Sequence, residues 1–285
     1  MTHKIIKSLA PLAVMAMTAA CLAPVAAQAQ QSSPARVAAF AKLPDWSGLW
    51  DVEGSPGTFE PAAMPAGGGR APPGGGAPPK GGSVPEMRDH PPYNAAWEAK
   101  YTKMRALSAS VADTNTRYCA AGMPRLLASP FDIDISITPE EVLFDHSQRE
   151  VRHIWTDGRG HPPADELWPL TEGDSIGHWE GQTLVIDTIS IKGGLWIDPT
   201  AATLSDKAQI TERWTQTSPG HLRNEITIVD PVAFTKPWRV VRTYQRSTDN
   251  NRFLDDDCYE NNRISVGADN KYEVQLESAG GGSSQ

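Results

Sequence analysis

From residue 130 onward, apolar and polar positions alternate with period two in short runs broken by turn residues, the pattern of antiparallel strands. Strands are predicted over 131–137, 141–147, 150–156, 175–179, 183–190, 208–216, 221–229, 238–246 and about 258–263. A further run at 46–52 brings the count to about ten. Ten sequential antiparallel strands imply an up-and-down barrel, which leaves no exposed edge; a two-sheet sandwich is the alternative. Ahead of the strands, Tyr93, Trp97, Tyr101 and Met104 recur at helical spacing, predicting one short amphipathic helix over about 93–109.

Two hairpins can be set in register by hand. A two-residue turn at Gln148–Arg149 would place His146 opposite Val151, Asp145 opposite Arg152, Phe144 opposite His153 and Val142 opposite Trp155. One face then carries Val142, Phe144, His146, Val151, His153 and Trp155, the lining of a cavity; Asp145 and Arg152 fall on the solvated face. In the second hairpin a turn at Glu180–Gly181 sets His178 opposite Thr183 and on the same face as Asp187. Trp179, Leu184 and Ile186 make the other face equally apolar, so the inward side stays open there.

The ends of the chain differ in kind. Lys4 and Lys7 precede an apolar run over 9–27, and Ala27-Gln28-Ala29 supplies a small-x-small cleavage pattern, so residues 1–29 read as a secretory signal. Cys21 after Thr18-Ala19-Ala20 is a poor lipoprotein site. No other stretch approaches the roughly 20 apolar residues of a membrane span. The predicted organisation is a signal at 1–29, an N-terminal segment with the first strand at 30–53, a Gly/Pro-rich insertion at 54–92, helix and barrel at 93–277, and a Gly/Ser tail at 278–285. The insertion has too little apolar content to offset ordering entropy.

Removing the signal takes the net charge from −8 to −10 and leaves no basic block, which argues against nucleic acid. The chain is expected in the periplasm or outside the cell. There, the two remaining cysteines, Cys119 and Cys258, favour a disulfide over two separate buried thiols. Walker, Gly-x-Ser-x-Gly and dinucleotide-binding signatures are absent from the sequence.

Several segments are familiar as a set: Arg117–Arg125 (RYCAAGMPR), TDGRGHP at 156–162, SIGHWEGQTLVIDT at 175–188, DPVAFTKPW at 230–238 and CYENN at 258–262. Together they resemble a large family of exported bacterial proteins with a lipocalin-like β-barrel, over most of residues 45–265. The resemblance implies the fold and carries no single activity. The insertion departs from it. Gly48-Leu49-Trp50 also matches the Gly-x-Trp that opens the first lipocalin strand, where the indole packs against an arginine; Arg246 and Arg263 are the candidates.

Candidate chemistry concentrates between residues 146 and 187, which hold His146, His153, His161 and His178 with Asp157, Arg159 and Asp187. Asp157, Arg159 and His161 open a long loop at the end of a strand; Trp196 and Asp198 sit on a second loop at 192–206. Three readings are open. In the first, a cofactor-free lyase, dehydratase or isomerase uses His146, His153, Asp157, Arg159, His161 and Tyr244 as its acid–base set on a small aromatic molecule. In the second, Phe144, Trp155, His178, Trp196, Trp214 and Arg242 grip an apolar or aromatic ligand without chemistry. In the third, the histidines hold a divalent metal, although no His-x-His or HExxH spacing is present, so no metal ligands are assigned. A small molecule is the expected partner in each case, and Asp157–Arg159 also has the simpler role of an ion pair shaping a turn.

Overall fold

The computed structural model describes residues 32–54, 59, 90–107, 121–128, 132–146 and 150–248, and the backbone of 264–266 and 272–274. The predicted signal with Cys21, the Cys119–Cys258 pair, Arg263, most of the 54–92 insertion and the tail at 278–285 lie outside the described residues. The strands and helices all belong to the unit Ser33–Gln285.

Nine strands close into a barrel in chain order: β1 (Gly48–Val52), β2 (Ile133–Ile137), β3 (Glu141–His146), β4 (Glu150–Trp155), β5 (Asp174–Glu180), β6 (Thr183–Ile189), β7 (Gln209–Ser218), β8 (His221–Val229) and β9 (Trp238–Arg246). A separate two-stranded sheet pairs β10 (Ile264–Val266) with β11 (Tyr272–Val274). Helix α2 (Ala95–Leu107) forms where the aromatic spacing predicts it. A second helix, α1 (Pro34–Phe40), joins the expected one; it starts at Ser33, whose hydroxyl accepts the Arg36 N–H, with Pro34 in its first turn. Among the described residues no helix is long and apolar enough to cross a membrane.

The mainly β closed barrel agrees with the sequence, but the count is nine rather than ten and the pairing is mixed. A ring of sequential strands with every neighbour antiparallel closes only on an even number. Nine strands therefore force one parallel contact, and it falls between β4 and β5, where Ile154 pairs with Ser175 and Trp155 with Ile176. Parallel neighbours need a crossover, and residues 156–173 supply it. At the junction the two strands approach closely: a Cβ on Gly177 would lie 2.9 Å from Ile154 Cγ2.

The first hairpin is displaced by one residue from its expected register. His146 pairs with Glu150, Phe144 with Arg152, Leu143 with His153 and Val142 with Ile154, leaving residues 147–149 between the strands instead of two. A one-residue slip moves every side chain of a strand to the other face. Arg152 and Ile154 accordingly point into the barrel beside Phe144 and His146, while Val151, His153 and Trp155 point outward. In the second hairpin the turn falls one residue later and each partner shifts by two, with Glu180 opposite Thr183 and His178 opposite Val185. A shift of two preserves faces, so His178 does share the outward face with Asp187. Trp179, Leu184 and Ile186 take the inward one.

The slip is stabilised from across the barrel. Arg152 is 1% exposed, and its Nη2 donates to Glu212 Oε1 at 2.6 Å and to Thr188 Oγ1 at 2.7 Å, while Nε donates to Ser175 Oγ at 3.1 Å. Glu212 is fully buried and also accepts from Trp214 Nε1 and Asn224 Nδ2, each at 2.9 Å. Closure between β1 and β9 is reinforced by Arg246, which lies 4.5 Å over the Trp50 ring and donates to the Ser47 and Asp45 carbonyls. Arg246, one of the two arginines considered as Trp50's partner, is in contact with it. Gly48 has a φ of +113°, and a Cβ there would come within 3.1 Å of Arg246 Nη1.

Removing one member of a buried ion pair leaves the other unpaired, at about 3–5 kcal/mol. Glu212→Ala should lower the urea unfolding free energy by that amount. Asp157→Ala, which breaks an exposed pair, should change it by roughly 1 kcal/mol or less.

Candidate functional site

The proposed site residues separate into three places. Phe144, His146, Trp214, Arg242 and Tyr244 face the barrel interior. There the aromatic residues pack on one another, with Phe144 and Trp214 edge-on at 5.0 Å and Trp214 stacked on Tyr244 at 4.7 Å. Tyr244 donates its hydroxyl to the Leu127 carbonyl, and burial holds its pKa above the usual phenol range. Arg242 Nη1 donates to the Phe59 carbonyl at 3.4 Å. His146 is 1% exposed and neither ring nitrogen has a hydrogen-bond partner; burial, with the nearby Arg152 charge, lowers its pKa to about 3.

His153, Trp155, Asp157, Arg159, His161 and His178 lie on the outer wall, so the expected pairing of His146 with His153 on one face does not occur. The register slip is the cause. His153 Nδ1 sits 2.7 Å from Glu141 Oε2 and its ring stacks on Trp155. Arg159 lies 3.9 Å over the Trp155 ring and grips Asp157 through Nε and Nη2, which holds the Asp157 carboxyl below its usual pKa. The turn-shaping ion pair is thus present. His161 lies between two carboxylates: Nδ1 is 2.5 Å from Asp174 Oδ1, and Nε2 is 3.4 Å from Asp187 Oδ2. Because the acids meet opposite nitrogens, the three groups cannot converge on one ion. Among the described residues no three His, Cys, Asp or Glu side chains are arranged to hold a metal. His178 is exposed beside Glu180, away from any ligand-binding interior.

The third place holds a cleft. Trp97, Lys100, Tyr101 and Met104 fall at i, i+3, i+4 and i+7 of α2 and so present one face. Opposite that face, Tyr93, Gly194, Trp196, Ala201 and Thr203 complete a cleft of about 100 Å³. The loop is held from within by Asp198. Its Oδ1 accepts from the Thr200 N–H and hydroxyl and its Oδ2 from the Phe59 N–H, while burial raises its pKa in spite of those bonds. The tight turn gives Ala201 a φ of +66°, a strained value for a residue with a Cβ. Tyr93 fixes the loop to the helix side: its hydroxyl donates to the Thr203 carbonyl and accepts the Thr203 N–H.

Trp196 is the one expected ligand-binding residue in this cleft. Tyr93, Trp97 and Tyr101 are legible in the sequence as a helical aromatic stripe, without a sign of what they face. Phe59 gives only a faint signal, a lone aromatic in a Gly/Pro-rich stretch; it is fully buried against Trp238. No known protein family, curated protein or solved structure shows a match to the chain.

His146 carries a pH dependence of its own. In the unfolded chain its imidazole protonates near its ordinary pKa of about 6.5, and in the folded protein only near 3. The unfolded state therefore binds more protons between these values, and stability falls as pH drops through that window. His146→Leu should flatten the decline by up to one proton's slope in urea melts at pH 3.5–7. The His146 NMR signals should not titrate between pH 5 and 8.

Proposed function

We propose that the protein binds small, planar, largely apolar molecules in the cleft between α2 and the 192–206 loop. One observation carries this reading: four aromatic side chains, Tyr93, Trp97, Tyr101 and Trp196, line a single small cleft. Its volume is of the order of the roughly 150 Å³ cavity that accepts benzene, and one open side gives a substituent room to protrude. The lining is also set in advance. Tyr93–Thr203 and Asp198–Thr200 hydrogen bonds fix the loop before any ligand arrives, which reduces the entropy lost on binding. The place of action is the one the N-terminal signal predicts, the periplasm or the cell exterior.

Acid–base chemistry is the second reading, and His161 supports it. A carboxylate on Nδ1 fixes the ring tautomer and orientation, the arrangement a histidine general base uses. On this reading a bound aromatic compound is consumed; on the binding reading it is recovered unchanged.

Titration of intrinsic tryptophan fluorescence with small aromatic compounds tests the cleft. Trp196→Ala should weaken binding by about tenfold or more, whereas Trp155→Ala on the outer wall should leave it unchanged. The reverse pattern would move the site to the outer wall. If turnover is found, His161→Gln should abolish it and leave ligand affinity within about tenfold.

A further inference from the structure

We infer that the ligand of the α2 cleft is a small aromatic acid, a ring bearing a carboxylate or a phenolate. The inference rests on the binding reading above and concerns which polar groups the cleft leaves available. Tyr93 is already committed, since its hydroxyl both donates to and accepts from the Thr203 backbone. Of the other polar side chains lining the cleft, Tyr101 and Lys100 bear on the ligand's charge. The Tyr101 hydroxyl is buried and meets no donor or acceptor in hydrogen-bond geometry among the described residues. The Lys100 ammonium lies 4.4 Å over the Trp97 ring. It makes no ion pair among the described residues.

The Lys100 ammonium can only donate and the Tyr101 hydroxyl can donate, so a ligand that brings an acceptor oxygen serves both. Acids of the same region are occupied: Glu98 lies 3.0 Å from His90 Nε2, and Asp198 accepts from Thr200 and Phe59. An organic cation would meet the Lys100 charge with no free carboxylate to receive it. A neutral hydrocarbon would leave the Tyr101 hydroxyl unpartnered, which buried polar groups rarely are. A ring carrying an anionic oxygen satisfies both donors while its apolar face meets Trp97 and Trp196. Lys100 is also unusual in its position. It stands at i+3 of an otherwise aromatic and apolar stripe, where a helix facing a purely hydrophobic surface would carry an apolar residue.

Calorimetric titration of the mature full-length protein with toluene, benzylammonium and benzoate at pH 7 tests the inference. Benzoate should bind about tenfold or more tighter than the other two, as a charge-assisted hydrogen bond implies, and its affinity should fall with added salt. Lys100→Gln and Tyr101→Phe should each reduce the ratio of benzoate to toluene affinity, and Lys100→Arg should retain it. Equal affinity for toluene or benzylammonium, still lost in Trp196→Ala, would overturn the aromatic-acid inference and leave the cleft as the site. Absence of binding by all three probes, with Trp196→Ala indistinguishable from wild type, would overturn the binding reading itself.

Discussion

Closing an odd number of sequential strands into a ring is the constraint on which most of this structure depends. Eight of the nine contacts in the barrel are antiparallel and one has to be parallel. The chain must then travel back along the wall between β4 and β5, and it does so through residues 156–173. That return path carries Asp157, Arg159 and His161, and it delivers His161 to Asp174 at the head of β5 and Asp187 on β6. The densest run of chemical side chains in the sequence therefore sits on the outer wall for a topological reason. It lies on the one crossover the barrel cannot do without.

Inside the barrel the governing contact is Arg152 with Glu212. A guanidinium pointing into a core is tolerable only with a counter-charge and hydrogen bonds for its remaining protons. Glu212 provides the counter-charge, and with Thr188 and Ser175 it supplies the partners of Nη2 and Nε from three different strands. The same contact fixes the side chains of β4, because shifting the strand by one residue would withdraw Arg152 and bring Val151 and His153 inward. It also places a charged pair inside the barrel, between side chains that are otherwise largely apolar.

Much of this was readable in the sequence. The alternation along β7, β8 and β9 survives as alternating buried and exposed positions, and the aromatic spacing of α2 gives its cleft-facing side. The failure on β4 has a specific cause. In Glu150-Val151-Arg152-His153-Ile154-Trp155, the apolar and aromatic residues favour the face that ends up outside, while the true inward set contains an arginine. Its partner Glu212 is sixty positions away, and only knowledge of β7 could have reversed the choice. Glu212 itself left a trace, since it interrupts the inward series Ile210, Trp214 with a charge. The cleft was hidden for a similar reason, as its helix and its loop are about a hundred residues apart in the chain.

The seam between β1 and β9 bears on how the molecule is assembled. Arg246 grips the Ser47 carbonyl across 199 residues of chain, and Trp50 pairs with Arg246 itself. The first strand of the barrel thus finds one of its two neighbours only when the ninth has emerged. Until then β1 and the growing edge of the sheet expose unpaired backbone groups. Contacts so distant in sequence slow folding and prolong exposure to aggregation. The ring is sealed only by β9, the last of its nine strands, for which β1, the first, has had to wait.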